Sequence, residues 1–295
     1  MKNIRISKKN LFINYSALTT TMLKGFGQIM LQENALTGFL FIVGIFYGFP
    51  TMGFMAILAS LCGIITSKIF SYGEVESNKG LYVFNAALVG AAIALFFKPM
   101  LMSWIIVIIG SLLATIIQQF FIIRRIPVFT LPFVLVTWLI FYIAQHYFPD
   151  LVSGTSVLVV SAGDSFTFAV RGFGQVIFQE NLISGAIFFM AVFVSSPISA
   201  LYGLAGAVLS AILANQFSLP TESIALGLFS YNAVLCAIVF AGNLLKDGIW
   251  VLISILLSLA ISLIMMKFEV IQLTFPFVLS SCVTLLLKNS FQNQP

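Results

Sequence analysis

Charge is the scarcest property of this chain. Only 8% of its 295 residues are Asp, Glu, Lys or Arg, against 60% that are hydrophobic. A soluble domain carries about 25% charged residues. So little charge cannot cover a water-facing surface, and lipid is the solvent that explains the composition. Histidine is nearly missing: His146 stands alone near the end of an apolar run, which suits a boundary residue better than a ligand. The three cysteines, Cys62, Cys236 and Cys282, lie inside apolar runs without paired spacing. They read as small core residues rather than a disulfide or metal framework. Clustered His, Cys or Asp ligands for a metalloenzyme are not seen, so neither enzyme activity nor a cofactor is expected. The net charge of +5 fits loop lysines and arginines beside anionic headgroups. No clustered basic face with aromatics points to nucleic acid.

What the chain does have is long uncharged runs: 35–67, 80–97, 99–123, 126–149, 182–221, 223–245, 248–266 and 270–287. A transmembrane helix needs about 20 mainly apolar residues. The two longest runs break at Gly48-Phe49-Pro50 and Ser195-Ser196-Pro197, both helix-breaking signals. Ten spans result, five on each side of residue 150. Lys2, Arg5, Lys8 and Lys9 precede the first acid, Glu33, and place the N-terminus on the cytoplasmic side. The start lacks the apolar core and cleavage site of a signal peptide.

The chain also repeats itself. Lys24-Gly25-Phe26-Gly27-Gln28-Ile29-Met30-Leu31-Gln32-Glu33-Asn34 returns, 147 residues later, as Arg171-Gly172-Phe173-Gly174-Gln175-Val176-Ile177-Phe178-Gln179-Glu180-Asn181. The same offset pairs Gly80–Leu88 with Gly227–Leu235, and an offset of 144 pairs Thr130–Leu135 with Thr274–Leu279. Three blocks in the same order indicate a duplicated fold, 1–150 and 151–295. An odd number of spans per half makes the second half enter from the opposite side. The expected architecture is an all-α membrane protein with an inverted repeat, a plan common in transporters. The segments 11–33 and 165–180 lie outside the ten spans and read as two half-spanning helices dipping into the bundle, covered by protein or a water-filled cavity.

The repeated blocks supply the candidate residues. Gln28 and Gln175 each offer an acceptor and two N–H donors and are cheaper to bury than a charge. They either line a pathway or cap broken helices. Glu33 and Glu180 either lie in the path or accept hydrogen bonds at the start of the following helix, as supports. Phe84-Asn85 and Tyr231-Asn232 place an aromatic where it can line a slot and an amide where it can hold a bend. In Thr130-Leu131-Pro132 and Thr274-Phe275-Pro276 the proline removes an N–H and clashes with the carbonyl of residue i−4. That leaves free oxygens at membrane depth beside a hydroxyl.

These blocks resemble the urea transporters, also called urea channels, of bacterial type. The match rests on the duplicated Gly-Gln-x-x-x-Gln-Glu-Asn segments at 27–34 and 174–181 and the Gly-Leu-x-x-x-Asn-x-x-Leu segments at 80–88 and 227–235. Ile126-Pro127-Val128-Phe129-Thr130-Leu131-Pro132-Phe133 adds the family signature. The resemblance implies ten transmembrane helices plus two half-spanning pore helices, a homotrimer in the cytoplasmic (inner) membrane, and one slot-like pore per protomer. It assigns Gln28, Ile29, Gln175 and Val176 to the oxygen rows, and Leu31 and Phe178 to the outer aromatic positions. Phe84 and Tyr231 fall at the inner aromatic positions, Leu88 and Leu235 at the central constriction, and Thr130 and Thr274 at the mid-pore hydroxyls. Leu31 departs from the usual phenylalanine, Tyr231 adds a hydroxyl, and the second signature lacks its leading Leu-Pro.

Urea is planar, neutral and small, with N–H donors along its edges. Acceptor rows beside a flat apolar slot replace its hydration without holding it tightly, as conduction requires. An ion would lose hydration uncompensated. Two other classes fit less well. Ammonium-type channels use paired pore histidines, and ion-coupled transporters bury titratable groups that these runs lack.

Overall fold

The computed structural model describes residues 15–153 and 167–292, so the basic N-terminal cluster lies outside the described residues. The described chain is helical, without a β-strand. The first half contains α1 Tyr15–Gln28, α2 Ala35–Gly48, α3 Pro50–Ile69, α4 Glu74–Asn78, α5 Phe84–Phe96, α6 Leu101–Ile123 and α7 Leu131–Tyr147. After a short 3-10 turn the second contains α8 Thr167–Gln175, α9 Leu182–Ser195, α10 Pro197–Gln216, α11 Thr221–Ala225, α12 Tyr231–Phe240, α13 Leu245–Lys267 and α14 Phe275–Gln292.

Each half packs around one short helix. Every residue of α5 from Phe84 to Ala94 is buried, and α12 is buried at all but two positions. A helix apolar on all sides belongs in the core. Around them lie α3 and α6, and α10 and α13. The seams of α3 and α10 are small residues: Gly53, Ala56, Ala59, Ser60 and Gly63, then Gly203, Gly206, Ala207 and Ser210. Small side chains let helix backbones approach where lipid removes the hydrophobic drive to associate. The outer faces remain apolar, with Ile105, Ile108, Ile109, Leu112 and Ile116 exposed along α6.

Among the described residues, only α3, α6, α10 and α13 are long and apolar enough to cross a membrane unaided. The other six apolar helices, α2, α5, α7, α9, α12 and α14, have 10 to 18 residues. They are shorter than the runs that contain them because non-helical backbone precedes several of them. Residues 80–83, 126–130, 226–230 and 270–274 lie outside helices.

The repeat extends to the backbone. Non-glycine residues with positive φ fall at equivalent positions: Leu31 with Phe178, Ser71 with Ser218, Arg125 with Glu269 and Phe129 with Leu273. Contacts between the halves are reciprocal. Thr37 Oγ1 donates to Ala191 O, and its equivalent Ser184 Oγ donates to Gly44 O, the equivalent of Ala191, both at 2.8 Å. Trp138 Nε1 donates to Ile271 O, and its equivalent Cys282 approaches Pro127 O. Phe41 and Phe188, equivalents of each other, meet edge to face at 5.1 Å.

Candidate functional site

The first parts of the site are the ends of α1 and α8. Each helix unwinds after its glutamine, and the next bulky residue but two, Leu31 or Phe178, adopts the left-handed conformation at φ 60° or 56°. The turn closes when Gln32 N donates to Gly27 O and Gln179 N donates to Gly174 O. Such conformations are costly for bulky residues and cluster at functional sites. Gln28 Nε2 donates to Lys79 O at 3.2 Å, and Gln175 Nε2 to Leu226 O at 3.1 Å. Those carbonyls just precede Gly80 and Gly227, both at φ 78°, whose α-carbons lie against the backbone of Gly25 and Gly172. Because a carbonyl can only accept, each glutamine keeps Oε1 as an acceptor.

The second parts are the starts of α7 and α14. Thr130 occupies the N-cap position of α7 without a capping side-chain hydrogen bond, and Pro132 lies in the first turn; Pro276 stands likewise at the second residue of α14. The expectation of a proline clash inside a helix is therefore corrected. In the first turn the missing N–H would have no helical partner anyway, so proline starts these helices rather than bending them. Asparagine holds the junction. Asn85 Oδ1 accepts from Phe133 N at 3.1 Å, and its Nδ2 donates to Phe129 O at 3.2 Å. Asn232 does the same with Phe277 N and Leu273 O. One buried amide thus satisfies an orphan N–H of the helix start and the carbonyl of the left-handed residue before it.

These starts bring the halves together. Thr130 Oγ1 and Thr274 Oγ1 are 2.6 Å apart, and each threonine is 2% exposed. Leu88 and Leu235 are fully buried. On one side a cavity of about 230 Å³ is lined by Gln28, Ile29, Leu31, Phe84, Gln118, Phe129 and Thr130, among others. A second, wider cavity of about 480 Å³ contains Phe178, Gln179, Glu180 and Arg171. Gln175 and Val176 are buried, and with Tyr231 and Thr274 they line neither cavity. The Tyr231 hydroxyl donates to Leu273 O.

The two acidic supports diverge from expectation. The amides at the starts of α2 and α9 are taken by Asn34 Oδ1, which accepts from Leu36 N and Thr37 N, and by Asn181 Oδ1, which accepts from Ile183 N. Asparagine is a strong N-cap because its short side chain reaches back to the first turn. Glu33 instead pairs with Lys24 at 3.1 Å, bracing the turn between α1 and α2. In the second copy, Arg171 Nη1 donates to the Glu180 backbone oxygen at 3.0 Å. Burial pushes the Glu180 carboxyl up, and Arg171 pulls it part of the way back. The residues missed by motif reading are Asn34, Asn181 and Gln118. The first two were legible as the residue before an apolar run; Gln118 lies outside every repeated block.

The described helices, with their apolar outer faces, define an all-α membrane protein. The family model described as "Urea transporter" matches residues 19–289, and the chain belongs to the urea transporter family. It is 26% identical to urea transporter 1 of Capra hircus over 92% of this chain and 77% of that protein. To urea transporter 1 of Mus musculus it is 26% identical over 75% of this chain and 62% of that protein.

Proposed function

We propose that this chain is a passive urea channel of a bacterial cytoplasmic membrane, built from two inverted halves. Ten crossings and two half-spanning helices, α1 and α8, form one slot per protomer, with three protomers per assembly as the family resemblance implies. The reciprocal contacts between equivalent residues support the inverted relation, since a two-fold axis makes every contact occur twice. Five crossings per half then put that axis in the membrane plane.

The observation that carries the function is the buried Thr130–Thr274 hydroxyl pair, contributed by equivalent positions in the two halves. Leu88 and Leu235 lie in the same core, and none of the twelve proposed slot residues is ionised. In this reading Gln28, Ile29, Gln175 and Val176 present oxygens toward the two mouths. Leu31 and Phe178 flank the outer ends, Phe84 and Tyr231 the inner ones, and the threonines relay the solute across the middle. Asn85, Asn232, Glu33 and Glu180 hold the surrounding backbone. A neutral planar donor exchanges partners along such a path, whereas an ion finds no compensation for lost water.

Reconstituted liposomes test this directly. Urea release faster than from protein-free vesicles, and unchanged by proton or sodium gradients, is the expected result. Release equal to protein-free vesicles refutes the channel, and gradient-dependent release refutes passive conduction.

A further inference from the structure

The hydrogen-bond polarity around the first mouth leaves one amide NH2 group uncommitted. The Phe133 N–H can only donate, so Asn85 Oδ1 must be its acceptor. Asn85 Nδ2 is then the donor, and it reaches both Phe129 O at 3.2 Å and Gln118 Oε1 at 3.0 Å. Gln118 must therefore turn its oxygen toward Asn85 and its Nε2 away. The side chain is 7% exposed and lines the 230 Å³ cavity with Gln28, Phe84 and Thr130. Its Nε2 donates to no acceptor among the described residues.

We propose that Gln118 is a solute-recognition residue whose Nε2 donates to the carbonyl oxygen of urea held in this mouth. The inference rests on the channel reading above and adds to it. Gln28 keeps Oε1 as an acceptor and spends one Nε2 N–H on Lys79 O. Acceptors alone satisfy the N–H groups of urea and leave its oxygen unpaired. A buried amide donor lining the same cavity completes the set, so the mouth recognises a carbonyl diamide and not merely a flat donor. The second half has no equivalent. Ser262 stands where Gln118 would be, and both the Tyr231 hydroxyl and Asn232 Nδ2 are directed at Leu273 O. Recognition of the carbonyl is thus confined to one end of the path.

Thiourea separates this role from a structural one, since sulfur is a weak acceptor while its N–H groups match those of urea. Half-saturating concentrations for both solutes are measured in liposomes bearing the wild type, Gln118→Met or Gln118→Ser; serine is carried by the fold at the equivalent position of α13. The wild type should favour urea. In either variant the urea value should rise about three- to tenfold, the worth of one net hydrogen bond, with the thiourea value changing less than about twofold. Equal changes for both solutes, no change for urea, or a wild type that does not favour urea would each overturn the proposal. Absence of any wild-type urea flux would instead overturn the channel reading itself, and this role with it.

Discussion

The hydroxyls of Thr130 and Thr274 are each other's hydrogen-bond partner, 2.6 Å apart in a buried part of the core. A hydroxyl has one proton and two lone pairs, so an oxygen of the pair can accept from a passing N–H on a spare lone pair while the mutual bond persists. Valine keeps the shape of threonine and removes that acceptor. Thr130→Val and Thr274→Val should each lower urea flux about two- to tenfold, the range of one net hydrogen bond. The double variant should lose less than the product of the two, because both delete the same bond. Liposome flux, with circular dichroism to confirm helicity, checks this; unchanged flux in both single variants refutes the mid-path role. The asparagines beside them show how far residue chemistry alone can be read. An amide next to a predicted bend was expected to hold backbone, and Asn85 and Asn232 do so. Of the two places open to the acid in Gln-Glu-Asn, path or helix start, the second is taken by the neighbouring asparagine.

Left-handed residues follow α1, α3, α6, α8, α10 and α13, and prolines stand in the first turn of α3, α7, α10 and α14. Hydropathy cannot see this: Val128, Phe129 and Leu273 are as apolar outside a helix as within one. What sets the breaks is local backbone geometry, and Gly80 is the position most exposed to test. Its φ of 78° disfavours any side chain, and an added Cβ would fall on the Gly25 amide. Gly80→Ala should therefore destabilise the detergent-solubilised protein by more than the ~1–2 kcal/mol of the conformation alone, with a lower thermal midpoint. Gly248→Ala, inside α13 with only the Tyr202 hydroxyl 3.7 Å from the new carbon, should be neutral or stabilising by up to about 1 kcal/mol. A Gly80→Ala midpoint at or above that of Gly248→Ala would contradict the close-approach account.

Two halves in contact through equivalent residues make a molecule whose ends are alike in plan but different in detail. Lys24 meets the Glu33 carboxylate at one end, while Arg171 meets the Glu180 backbone at the other. In the proposed channel duplication provides two mouths, and substitution then makes them unequal. The inverted relation itself predicts where equivalent loops lie. Ser71 and Ser218 are both exposed and share the left-handed conformation. With cysteine placed singly at each, in a background lacking Cys62, Cys236 and Cys282, an impermeant maleimide should label one position from outside oriented vesicles and the other only from inside. Labelling of both from the same side would refute an axis in the membrane plane.

Composition determined the solvent and the helical class, and internal repetition marked three paired blocks, because lipid burial and repetition leave their mark on residue order. The helix break at Pro50 was legible in the same way. The folded chain decided the rest. Thr130 and Thr274 are 144 residues apart and meet only through the packing of the halves. Gln118 has a free donor only because Phe133, Asn85 and Phe129 fix the direction of each bond in turn. Hydrogen-bond polarity is a property of assembled neighbours, and no local pattern of residues encodes it.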